Sequence, residues 1–330
     1  MRSLHAHLAM HLWLERVSVW DPARNYWKTK ANIDVQDRLP GYVFSGKEIW
    51  DGLEIDVDGK PTVVCNGLLR DWASWIREKG ENAEFMSAIL ETLAPPGEPL
   101  ASGPLMRLSV NDARDIPSIR TAYSDGVPIL HASSGIRRAV GLAYMLLWSW
   151  NEHSLAAEKL GEERTSKVVM LFDEIESHLH PRWQRSILKS VLHTAGTLHS
   201  DAKIQLIAAT HSPLILASAE PTFDAEMDAW FDLDLDQSEA VPQVSICRRE
   251  FVRHGDISNW LTSEAFDFKS ARSLEAESAI EKARAILRSA SPTLKEAQIV
   301  DEELRRAALP DIDPFWVRWS KFMESLQEAE

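Results

Sequence analysis

Two adjacent carboxylates, Asp173 and Glu174, end the apolar run Val168-Val169-Met170-Leu171-Phe172. An apolar strand that delivers Asp and then Glu suits metal-assisted nucleotide hydrolysis. The Asp holds Mg²⁺, directly or through water, and the Glu orients or deprotonates the attacking water. A second apolar run, Ile204 to Ala209, ends in Thr210-His211-Ser212. A histidine at the tip of a neighbouring strand can reach the same water and the terminal phosphate. The third piece is His131-Ala132-Ser133-Ser134-Gly135-Ile136-Arg137-Arg138. Ser-Ser-Gly at a helix start offers hydroxyls, free N–H groups and a positive dipole end, which together suit an anion. Taken singly, each piece also reads as ordinary structure: a strand ending in solvated acids, a helix cap, a structural histidine and a solvated arginine pair.

The elements around these residues follow an α/β grammar. Ala139, Leu142, Ala143, Leu146, Leu147 and Trp150 form a helical stripe, and the other faces are apolar too, so this helix belongs in the core. The run 168–172 lacks alternation, as in a parallel strand covered by helices on both faces. Pro181 suits a first helical turn, with Trp183, Ile187, Leu188, Val191 and Leu192 on one side. Arg182, Arg185 and Lys189 fall on one face of that helix, solvated by default and a DNA strip as the minority view. Ser212-Pro213 starts another helix. Upstream, strands are expected at 16–20 and 53–57, the latter turning at Asp58-Gly59, with a helix over 68–79 and a loop over 95–104. Downstream, Ala276, Ile280, Ala283 and Leu287 mark a helix. Thr293 with Glu296 offers a capping box, and Phe315, Trp316, Trp319 and Phe322 anchor the last helix. The fold class is α/β with a parallel sheet, an antiparallel β portion and a C-terminal helical extension.

The chain has 330 residues, which suggests about two domains. With 36 Lys and Arg against 50 Asp and Glu, the net charge is −14, which disfavours a coat of nucleic acid. Two cysteines cannot frame a disulfide scaffold, so a reducing compartment, the cytoplasm, is expected. The N-terminus has no signal core. The longest apolar stretch, 139–148, falls well short of the roughly 20 residues of a membrane span.

The three chemical segments, in this order, resemble the signature motif, Walker B strand and switch histidine of ABC-class P-loop ATPases. The closest likeness is to the SMC, RecF and OLD type often called AAA family ATPases. Ala132 to Arg137 followed by Gly141-Leu142-Ala143 is similar to the signature and its helix. Val168 to Pro181 resembles Walker B and its tail, and Ala208 to Pro213 resembles the switch. The resemblance covers 131–216 well and the flanks loosely. It implies a P-loop NTPase head over 1–250 with a helical extension over 251–330. It implies ATP and Mg²⁺ as ligands, with Asp173 on the metal, Glu174 as general base and His211 sensing the γ-phosphate. Ser133, Ser134, Gly135 and Arg137 would face the nucleotide of a second head, so a homodimer is implied. Relatives of this kind work in DNA-related or phage-defence systems, often with a nuclease partner.

Two departures stand out. Ser134 replaces a signature glycine. The Walker A loop has no good counterpart: Gly41-Tyr42-Val43-Phe44-Ser45-Gly46-Lys47-Glu48 has its spacing, but its residues are bulky and Glu48 stands where a hydroxyl should bind Mg²⁺. A P-loop upstream of Met1 is one expectation, and a scaffold or regulatory protein that has lost its P-loop is an alternative. A metal-dependent nuclease or hydrolase built on His178, His180 and the nearby acids is another. The aspartates between 224 and 236 could imitate a Toprim acidic cluster. Their alternation with Trp, Phe and Leu favours an edge hairpin with acids facing water.

Overall fold

The computed structural model describes residues 18–21, 26–29, 44–57, 59–199, 202–236, 243–307 and 309–329. Backbone contacts divide the chain into two compact units, Met1–Phe223 and Asp224–Glu330.

The first unit opens with an antiparallel pair, β1 (Ser18–Asp21) and β2 (Tyr26–Thr29). A short helix α1 (Gly46–Asp51) leads to the hairpin of β3 (Leu53–Val57) and β4 (Lys60–Cys65). Helices α2 (Leu68–Glu78) and α3 (Glu81–Leu93) follow. Then comes an antiparallel sheet of β5 (Ala101–Ser102), β6 (Ser118–Thr121) and β7 (Ser124–Pro128), in that order. A 3₁₀ turn, Ile129–His131, hands the chain to α4 (Ser134–Leu160), 27 residues long. Strand β8 (Lys167–Phe172) precedes helices α5 (Pro181–Gln184) and α6 (Ile187–Leu198). Strand β9 (Lys203–Ala208) and helix α7 (Pro213–Ala219) complete the unit.

The α4 stripe behaves as its composition requires. Val140, Ala143, Tyr144, Met145, Leu146 and Leu147 are all at most 1% exposed and share one core with Trp72, Met86, Ile89 and Leu93. That core continues beneath the chemical segments through Ile175, Leu179, Trp183 and Ile215. The loops bearing the acids and the histidine are therefore anchored from below. Tyr144 brings its hydroxyl inside by donating to Asp71 at 2.9 Å, with the Cys65 sulfur 3.0 Å away.

Strands β8 and β9 pair in parallel, with Val168 opposite Ile204 and Phe172 opposite Ala208. The expectation of helices on both faces needs correction. Met170, Phe172, Ile204 and Leu206 turn toward the core. On the alternate positions, Leu171 is 51% and Ile207 49% exposed, and these two are register partners. An unbroken apolar run shows that both faces are apolar, and says nothing of whether each is covered. Among the described residues the parallel ladder is two strands wide. The single helix expected from Pro181 is two pieces, broken at Arg185–Ser186. Arg182 and Lys189 therefore sit on different helices, Arg182 pairs with Glu98 at 3.0 Å, and Leu192 is exposed.

The second unit starts with an antiparallel hairpin, β10 (Trp230–Asp236) and β11 (Gln243–Arg249). Of the acidic stretch, Asp232, Asp234 and Asp236 lie on this hairpin, while Asp224, Glu226 and Asp228 lie in the turn before it. The apolar residues that alternate with the acids, Phe231, Leu233 and Leu235, are exposed as well. Helix α8 (Ile257–Leu261) follows, and Trp260 meets Trp230 and Phe251 with ring centroids 6.4 and 5.5 Å away. This aromatic cluster explains why 224–250 groups with the tail, whereas the sequence reading draws the division at 250. Helices α9 (Leu274–Arg288), α10 (Leu294–Arg306) and α11 (Pro314–Ala329) pack around Ala279, Ile280, Ala297, Leu304 and Trp319. The Thr293–Glu296 capping box forms as expected. No helix among the described residues is long and apolar enough to cross a membrane.

Candidate functional site at the end of the parallel pair

Parallel strands place their following loops at one common end, and β8 and β9 do so here. The chain after β8 runs Asp173-Glu174-Ile175-Glu176-Ser177-His178, and Asp173, Glu174 and His178 are exposed. Glu174 and His178 both adopt left-handed backbone, at φ 50° and 62°. That conformation costs a side-chain-bearing residue about 1–2 kcal/mol and survives only where neighbours fix it. The fixing contacts come from both flanking segments.

From α4, Arg138 donates to the carbonyl of Glu174 and to that of Ser177, each at 2.9 Å. One turn earlier on the same helix face, Gly135 lies against the loop. A Cβ there would stand 3.1 Å from the His178 carbonyl oxygen, so the close approach needs a glycine or a yielding loop. Burial lowers the Arg138 pKa, and the Glu176 and Glu174 carboxylates push it the other way. From the switch segment, the Glu176 carboxylate accepts the Thr210 hydroxyl at 2.6 Å and the His211 amide at 2.8 Å. Ser212 caps α7 through Ile215 N–H and donates its hydroxyl to Gln184, whose amide donates to the Leu179 carbonyl. The three segments singled out from sequence therefore meet at one end of the β8–β9 pair.

Ser133 is the N-cap of α4, its hydroxyl accepting from Ile136 N–H at 3.4 Å. Ser134 and Arg137 are exposed on the first turns of α4, and His211 is exposed where the chain enters α7. Asp173 is an exposed carboxylate at the strand tip. A single carboxylate beside open solvent suits Mg²⁺, which keeps waters and phosphate oxygens as its other ligands. The His178–His180 pair does not assemble a zinc-type site. His180 caps α5, its Nδ1 accepting from Arg182 N–H, and no group of three or more His, Cys, Asp or Glu among the described residues could hold a metal.

The stretch with P-loop spacing is described from Phe44 onward, and 41–43 lie outside the described residues. Its described part is committed elsewhere. Phe44 is buried, with its ring edge-on to Trp148 at 5.3 Å. Ser45 and Glu48 close a capping box, in which the Glu48 carboxylate accepts Ser45 N–H at 2.6 Å. These bonds hold the Glu48 pKa below the ordinary carboxylate value. A carboxylate thus already occupies the helix start that an anion would need.

Sequence reasoning passed over Arg138 and Glu176 as parts of this assembly. The available signals were the i, i+3 spacing of Arg138 from Gly135 and the position of Glu176 two residues past the acid pair.

Residues 122–217 match the family model described as "AAA domain, putative AbiEii toxin, Type IV TA system". That segment is thus similar to an AAA domain, as the resemblance drawn from its motifs implies. A 50-residue stretch is 42% identical to "Retron Vc95 probable ATPase" of Vibrio cholerae serotype O1 biovar El Tor, spanning 15% of this chain and 9% of that relative. Among solved structures, an Smc head bound to the C-winged helix domain of ScpA is 16% identical. The match covers 54% of this chain and 45% of that one, with a TM-score of 0.31. An Smc head with an extended coiled coil, bound to the C-terminal domain of ScpA derived from Pyrococcus furiosus, is 14% identical. It covers 54% and 37%, with a TM-score of 0.30. The chain thus spans less than half the length of either structure.

Proposed function

We propose that the chain is an ABC/SMC-like ATPase head that binds and hydrolyses ATP, with heads dimerising on nucleotide and parting on hydrolysis. The observation that carries this is the meeting of 133–138, 173–178 and 210–212 at one end of a parallel strand pair, within AAA-family sequence. Mg²⁺, when bound with ATP, supplies neutralisation of the phosphate charge. Asp173 would hold it. Glu174, which is exposed, would take the proton of the attacking water, and His211 would face the terminal phosphate. Ser133, Ser134, Gly135 and Arg137 present hydroxyls, amides and a positive charge to a second copy's nucleotide, as a helix start suits. The compartment that fits is the cytoplasm. A DNA-related or phage-defence role, with a nuclease or DNA as further partner, is what the motif resemblance implies.

The test is Glu174→Gln. Turnover of Mg-ATP should fall about 10²-fold or more, within the range for loss of a general base, while the ATP-bound dimer persists in sedimentation. Unchanged turnover would refute the base assignment. The capping box at Ser45–Glu48 favours a second reading, a scaffold that binds no nucleotide. Calorimetry with Mg-ATP separates the two. Heat of binding supports the ATPase, and none, in this chain or an N-terminally extended one, supports the scaffold.

A further inference from the structure

We propose that Arg138 and Glu176 are positioning residues that make the signature helix, the Glu174 loop and the His211 segment one mechanical unit. The proposal rests on the ATPase reading for its catalytic consequence, and on geometry alone for the coupling. Arg138 reaches 36 and 39 residues along the chain to two carbonyls, and Glu176 reaches 34 and 35 residues to the switch. Arg138 spends its hydrogen bonds on two backbone carbonyls and Glu176 on the switch segment, so neither is offered as catalytic.

Glu174 sits in left-handed backbone, which relaxes unless held. The Glu174 carbonyl accepts both Arg138 and Ser177 N–H, at 2.9 Å each, so the guanidinium fixes the peptide that aims the Glu174 carboxylate. The planar fork of the arginine presents two pre-organised N–H groups to the two carbonyls, where a flexible lysine ammonium would lose more freedom in doing so. Two residues on, Glu176 takes the His211 amide and the Thr210 hydroxyl with its two oxygens, fixing where the histidine leaves the strand. A shift of the α4 start, where Ser133 and Gly135 lie, therefore moves Glu174 and His211 together. A second head docking on Ser133–Gly135 would act on both through this path.

The experiment compares the full chain with Arg138→Lys, Arg138→Gln and Glu176→Gln by hydrogen exchange without nucleotide, and by Mg-ATP kinetics. Circular dichroism screens each variant for folding, and Arg138→Lys serves where Arg138→Gln does not fold. The expected result is faster exchange at 174–179 and also at the His211 amide on changing Arg138. Glu176→Gln should loosen 210–212 more than the Arg138 contacts. In turnover, kcat should fall about 10- to 100-fold, the scale of a small misplacement of reacting groups, with KM within about threefold. Arg138→Lys should keep more activity than Arg138→Gln. Exchange confined to 174–179, with His211 unmoved, overturns the coupling. Wild-type kcat in Arg138→Gln overturns the positioning role while leaving the ATPase intact. A wild-type chain without turnover both as it stands and with an N-terminal extension overturns the ATPase reading, and the exchange result then stands or falls by itself.

Discussion

At Gly135 the helix α4 comes within one methyl group of the loop that carries the acids. An alanine there would place Cβ 3.1 Å from the His178 carbonyl, tighter than most real contacts. Alanine favours a helix over glycine by about 1 kcal/mol, and overpacking costs about 1–3 kcal/mol. We expect Gly135→Ala to lose about 1 kcal/mol in denaturant unfolding by this balance. A net gain would show that the loop yields freely. Little of this contact could be read from sequence. Ser133-Ser134-Gly135 announces a helix start, but not that the glycine faces a carbonyl 43 positions on. Arg138 was hidden for the same reason. An arginine beside another arginine on a helix looks solvated until its distant acceptors are known.

Elements were more legible where their signals are local. The Thr293–Glu296 capping box and the Ser212-Pro213 helix start need only neighbours in sequence, and both form. The run 168–172 shows apolar character on both sides, and only the tertiary arrangement reveals that Leu171 stays open. The break at Arg185–Ser186 has no proline or glycine to mark it. Two predictions belong to this scale. Helix α2 ends on Lys79 in left-handed backbone at φ 53°. Lys79→Gly should raise stability by about 0.5–1 kcal/mol, since glycine accepts this geometry without strain; unchanged melting would count against it. Near the end of α4, the His153 Nε2 accepts Thr165 N–H at 3.1 Å, which requires the neutral ring. Burial, aided by Arg164, lowers its pKa from 6.5. A depressed base takes up protons more readily when unfolded. Its stability contribution is therefore complete above about pH 6.5 and lost as pH falls through the folded value. Melting followed from pH 7.5 to 5 should show a decline that His153→Gln flattens; parallel curves would remove His153 as the cause.

At the scale of the molecule, each unit has its own buried cluster, one centred on α4 and one on Trp319. Trp319 is fully buried and donates its indole N–H to Asp301 at 3.0 Å. Trp319→Ala should cost about 3–5 kcal/mol locally. Calorimetry should then show the transition of 224–330 moved down and that of the first unit in place; a common downward shift would mean that the units melt together. The open residues Leu171 and Ile207, with Leu233, Val244 and Ile246 of the hairpin, have a practical consequence. The fully native protein should brighten an environment-sensitive dye before any heating, and ammonium sulfate should salt it out at low concentration despite its charge of −14.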